Sequence, residues 1–184
     1  GMSRQRFIIT LAVAVIGFGA VFNPAYAQGD DLIKESKAAL SAAEKEVEEA
    51  RVAIARGQEL VAQIPEDSPL LSEVAEVLQA ASQNWVIAVK SLEGAKKTSA
   101  KLSATSNASL KKDYALLTKV NSGVALSGAN VVQIGLAYVE AVASEKTEAL
   151  STIRTAMQDA LAASSQVQSS YERVKALIAK KYSK

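Results

Sequence analysis

The residues in this sequence best suited to chemistry are lysines, and the chemistry is recognition of anions. Lys96, Lys97 and Lys101 precede the polar break Thr105-Ser106-Asn107-Ala108-Ser109, and Lys111 and Lys112 follow it. Lys175, Lys180, Lys181 and Lys184 close the chain. With Ser109 read as an N-cap, Lys111 and Lys112 fall in the first turn of a helix, where partial positive charge favours acids. Their placement therefore calls for a reason other than helix stability.

Most other chemistry is excluded by composition. The chain has no His and no Cys, and Met157 is the only Met beyond residue 27. That removes haem ligation, zinc sites, the Glu-x-x-His ligands of di-iron bundles, and the Ser-His and Cys-His nucleophile pairs. Gly123, Gly128 and Gly135 lie inside an apolar helical stretch with no strand before it, so they form no phosphate loop. Carboxylate pairs such as Glu44 and Glu48 fall on a solvated helix face rather than in a site for acid/base work. The expectation is a protein that is not an enzyme and holds no cofactor and no metal.

Residues 1–27 read as a secretory signal peptide. Gly1 before Met2 is an expression remnant, Arg4 and Arg6 form a basic segment, and Phe7 to Phe22 is an apolar run of 16 residues. Ala25-Tyr26-Ala27 then supplies a small-x-small cleavage pattern. A membrane anchor needs about 20 apolar residues, so cleavage after Ala27 is favoured over retention. With no cysteine the chain is not a lipoprotein and has no disulfides. The expected location is the periplasm or cell envelope of a bacterium, or beyond it by secretion.

Residues 28–184 read as a single all-α domain, an elongated up-down-up-down four-helix bundle with helices at about 30–64, 69–105, 109–143 and 147–182. Two hairpins that dimerise are the competing architecture. Ala, Leu, Lys, Glu, Ser and Gln dominate, and period-two alternation is absent. Ser68 and Pro69 read as the N-cap and first position of the second helix. The third break has no Gly or Pro and is inferred because the apolar register of the third helix fails at Glu145 and Thr152.

Within each helix, large apolar residues repeat every seven positions with small ones between them. Ile33, Leu40, Val47, Ile54 and Val61 alternate with Ser36, Ala43, Ala50 and Gly57. Leu71, Leu78, Trp85 and Leu92 alternate with Val74, Ala81, Ala88 and Ala95. Such coiled-coil-like seams let helix axes approach closely, and they make Trp85 a candidate core anchor. Tyr114, Tyr138 and Tyr171 read as packing residues with hydroxyls near the surface. The stretch Val120 to Val139 carries no charge and reads as the most buried helix of the bundle.

Charge is distributed unevenly along this fold. Residues 30–93 hold 13 acids and 6 bases, and residues 94–184 hold 6 acids and 13 bases. Folding the chain up and down gathers Glu59, Glu66, Asp67, Glu73, Glu76, Glu140, Glu145 and Glu148 at one end. The other end gathers Lys96, Lys97, Lys101, Lys111, Lys112, Lys175, Lys180, Lys181 and Lys184, opposed by Asp30, Asp31 and Glu35. Lys96, Lys97, Lys101, Lys111, Lys112, Lys180 and Lys181 form the candidate patch for an anionic partner. Its candidates are a protein, lipid headgroups, an envelope polymer, or the acidic pole of a second copy. Nucleic acid is disfavoured by export and by the lack of aromatics among the lysines. The expected function is an exported, non-enzymatic structural or interaction protein, a spacer or adaptor of the envelope. The alternatives are a membrane-active bundle that inserts residues 120–139, and a periplasmic bundle that binds a small molecule.

Overall fold

The computed structural model describes residues 29–183; the signal-peptide reading of residues 1–27 lies outside them, as does Lys184. Among the described residues the chain forms four long helices and no strand. They are α1 (Gly29–Val61), α2 (Leu71–Ala104), α3 (Ala108–Ala143) and α4 (Leu150–Tyr182), with a single 3₁₀ turn, Thr147–Ala149, leading into α4. Each long helix has 33 to 36 residues, or about 50 Å at 1.5 Å per residue. The result is the all-α four-helix bundle that the spacing implies, formed within one chain.

The centre of the bundle is α3. It packs on all three other helices, the parallel α1 as well as the antiparallel α2 and α4. From Val120 to Val139 only Leu126, Gln133 and Leu136 retain appreciable exposure. Close approach to α2 is possible because the contact residues are small. A methyl group added at Gly128 would lie 2.6 Å from the Asn84 carbonyl oxygen and 3.0 Å from the Ala88 Cβ. At Gly135 it would lie 3.2 Å from the Ala81 Cβ.

The seams divide by size in a definite way. Ala43, Ala50, Ala81, Ala88 and Ala95 are almost fully buried, as is Ser36. Ile33, Leu40, Ile54, Leu71, Leu78 and Trp85 lie beside them, partly buried. Val47 and Leu92 are buried with the small residues; elsewhere in these seams small residues set the distance between axes and large ones close the flanks.

Apolar packing is heaviest at the end formed by the first and third turns. There Leu60, Ile64, Val74, Ile134, Tyr138, Leu150, Ile153 and Met157 share one cluster. At the opposite end the fully buried cluster shrinks to Leu32, Leu102 and Ala115. A polar layer lies between, where Ser164 Oγ donates to Asn84 Oδ1 at 2.9 Å and Gln168 Nε2 donates to Ser164 Oγ at 3.1 Å.

Three boundaries differ from the sequence expectation. The N-cap of α3 is Asn107, not Ser109, and its side-chain oxygen accepts the Leu110 N–H at 3.0 Å. Asn caps as well as Ser and stands two residues earlier. For α2, Ser68 Oγ accepts the Leu70 N–H at 3.3 Å, but regular helix begins at Leu71 rather than at Pro69. The first helix ends at Val61, after which 3₁₀-type bonds carry Gln63 and buried Ile64 into the turn.

The inferred break near Ser144 is present. Lys146 N–H bonds the Ala141 carbonyl at 2.8 Å and Glu145 N–H bonds that of Val142 at 3.2 Å, with Glu145 at φ 60°. This is a Schellman cap with Glu where Gly is usual. Left-handed backbone costs a residue with a Cβ about 1–2 kcal/mol, which the cap's hydrogen bonds and the buried Ala149 and Leu150 beyond it offset.

Candidate functional site

The second turn brings the candidate lysines together at one end of the rod. It has three residues, Thr105 to Asn107, so the end of α2 and the start of α3 emerge side by side. The end of α4 reaches the same place: Lys181 Nζ donates to Ser109 Oγ and Asp113 Oδ2, both at 3.1 Å. The Tyr182 hydroxyl donates to Asp113 as well. Lys96, Lys97, Lys101, Lys112, Lys175, Lys180 and Lys181 are exposed, and Lys111 is partly buried.

These cations are not equivalent. Lys181 is held by Asp113, whose hydrogen bond raises the lysine's pKa, and its Nζ lies 5.4 Å from the centre of the Tyr182 ring. It therefore serves the fold as a strap between α4 and α3. Lys175 sits 6.0 Å from the centre of the Tyr171 ring. Lys119, which the patch did not include, pairs with Glu35 at 2.6 Å and joins α1 to α3. Among the described residues no recorded ion pair occupies Lys96, Lys97, Lys101, Lys111, Lys112 or Lys180. Lys175 and Arg173 have no recorded ion pair either, so the available positive charge lies on these eight.

The shifted N-cap alters the account of Lys111 and Lys112. They are the fourth and fifth residues of α3, and the Lys111 N–H already bonds the Asn107 carbonyl at 2.9 Å. The free N–H groups that concentrate the helix dipole lie before them. Little local destabilisation attends these lysines, and their net effect is added charge at this end.

The opposite end has the complementary sign and is partly tied down. Glu59, Glu66, Asp67, Glu76, Glu145 and Glu148 are exposed. Glu73 of α2 receives a fork from Arg154 of α4, with Nη2 at 2.7 Å, and a hydrogen bond from the Tyr138 hydroxyl of α3. The Arg154 bond, then the tyrosine bond, holds the Glu73 carboxyl below its ordinary range. Burial of its ring, followed by the bond to Glu73, pushes the Tyr138 phenol up to about 12. Sequence reasoning placed Glu73 at this end but did not join it to Tyr138 or Arg154. The signal would have been the matching heights of Glu73 and Tyr138 on antiparallel helices.

Trp85 is partly buried at the edge of the central cluster rather than at its middle, where Ala81 and Ala88 sit. Its indole N–H is buried without a hydrogen-bond partner. The heptad identifies its layer correctly, but close packing of the small residues displaces the ring to the flank. Tyr138 is 1% exposed, whereas Tyr114 and Tyr171 are partly buried.

Among the described residues no group of three His, Cys, Asp or Glu side chains converges as a metal site would. The chain matches no protein-family model, no curated protein and no solved structure.

Proposed function

We propose that this protein is an exported, non-enzymatic spacer or adaptor of the cell envelope, a rigid helical rod that holds an anionic partner at one end. The observation that carries the reading is the set of lysines at the second turn, Lys96, Lys97, Lys101, Lys111, Lys112 and Lys180, with no recorded ion pairs. Positive charge gathered there, with acids at the far end, orients the rod in any field from an anionic surface. The length of the helices and the seams of small residues suit a stiff element. Insertion of residues 120–139 into a membrane is the less favoured reading. Of the described helices α3 alone is long and apolar enough to cross one, but it is mostly buried by its neighbours. Inserting it would require opening three interfaces and carrying Asn121, Ser122, Ser127 and Asn130 into lipid.

Binding of residues 28–184 to beads coated with an anionic polymer, at low and high salt, tests this. Retention should fall as salt rises, because exposed charges are screened beyond about 8–10 Å at physiological ionic strength. The triple variant Lys96→Glu, Lys97→Glu, Lys101→Glu should elute at much lower salt. A control reversing mid-rod cations, Lys45→Glu with Lys90→Glu, should change elution far less. Equal effects of the two variants would mean that total charge, and not this end, governs binding, and would overturn the proposal.

A further inference from the structure

The last three turns of α4 combine features that charge alone does not explain. From Tyr171 to Tyr182 no side chain of α4 is fully buried; Tyr171, Val174 and Ile178 are only partly covered. Four large apolar residues are exposed in the described chain, Val52, Val86, Leu177 and Tyr182, and two of them stand here. Leu177 is 68% exposed and Tyr182 is 48% exposed. A single exposed leucine is ordinary. The setting of this one is not. Arg173 precedes it by four residues, and Lys180 and Lys181 follow it by three and four, so helical spacing puts all four on one face. The apolar cluster at this end, Leu32, Leu102 and Ala115, draws no buried residue from α4. The tail of the helix is instead tied by exterior polar bonds from Lys181 and Tyr182 to α3.

We infer that residues 171–182 form a shallow insertion element for an anionic lipid bilayer, with Leu177 entering the headgroup boundary while Arg173 and Lys180 hold lipid phosphates, and with Tyr182 kept on the bundle side by its bond to Asp113. The inference rests on the proposed role of the basic end and names its partner. A basic helix face presenting an exposed leucine between its cations is the chemistry of an interfacial segment. A polyanion with no apolar interior would use the cations and leave Leu177 in water. A surface with an apolar interior behind its charge uses both.

The experiment compares two anionic surfaces, vesicles of phosphatidylglycerol with phosphatidylcholine, and beads coated with an anionic polymer that has no apolar interior. Residues 28–184 should bind both, and salt should weaken both. Leu177→Gln should weaken vesicle binding about tenfold, since most of a leucine burial is lost, and should leave polymer binding unchanged. Its circular dichroism and melting should match the parent, because the side chain is exposed. Lys180→Gln should weaken both surfaces, by about fivefold on vesicles. In a Trp85→Phe background, Leu177→Trp should shift its emission to the blue on anionic vesicles and not on the polymer.

Unchanged vesicle binding by Leu177→Gln, or binding to the polymer but not to vesicles, would overturn the insertion element and leave the anionic contact standing. Binding to neither surface would overturn both. Self-association at low salt that blocks vesicle binding would assign this end to the acidic pole of a second copy, and would also overturn the lipid.

Discussion

Trp85 is the only tryptophan in the chain, so its emission reports on one layer of the rod. With its indole N–H buried and unpartnered, emission should be blue-shifted in the folded state and move to the red as the bundle opens. Full burial of such a ring makes its loss cost about 3–5 kcal/mol. Partial burial reduces that, so Trp85→Ala should cost about 2 kcal/mol by denaturant unfolding. The heptad located this residue correctly in height but not in depth, because depth depends on which neighbours are small. Tyr138 and Glu73 give the pH dependence. A phenol held near 12 against an ordinary 10.0 contributes stability that is full below pH 10 and is lost as pH rises toward 12. Glu73 works in the opposite sense: its lowered pKa contributes stability above the usual 4.5, lost as pH falls further. The melting temperature should therefore drop at both extremes. Tyr138→Phe should flatten the alkaline limb relative to the parent, and Glu73→Gln the acid limb. An alkaline limb of unchanged steepness in Tyr138→Phe would show that the phenol is not the group responsible.

Among the elements, α3 makes the closest approaches, and its glycines separate two kinds of tightness. Gly128 faces backbone: the Asn84 carbonyl oxygen would stand 2.6 Å from an added methyl group and cannot yield without moving α2. Gly57 of α1 faces the end of a side chain, the Leu78 Cδ2, at 3.3 Å. Gly128→Ala should destabilise the bundle by about 3 kcal/mol through overpacking. Gly57→Ala should be neutral or stabilising, by up to about 1 kcal/mol of helix propensity, once Leu78 turns aside. Urea unfolding of the pair measures both, and equal effects would mean that α2 and α3 are not in register as described. Helix number, order and the break at Ser144 were all legible in the sequence, because register and turn residues are local signals. That α3 lies at the centre, packed on parallel α1 as well as on its chain neighbours, was less legible. Its charge-free stretch indicated burial, but heptad spacing does not say how many partners a helix has. The cap was missed because Asn107 and Ser109 are both good N-caps, and the sequence pattern does not choose between them.

At the scale of the whole molecule, the two poles follow from folding a chain with acids in its first half and bases in its second. The arrangement was readable from residue order alone. What it hid was the occupancy of the charges: Lys181, Lys119 and Arg154 are engaged across helices, so the poles are weaker than a count suggests. Both ends of the described chain lie at the basic pole, near Leu32 on one side and the Lys181 strap to Asp113 on the other. This has a mechanical consequence. A pull between the two ends would peel α1 and α4 away turn by turn, breaking few contacts at any moment, as a zipper opens. A pull between one end and the turn at 144–149 would instead load the seams along their whole length in shear, so that many contacts must fail together. The rod is thus compliant across its ends and stiff along its axis.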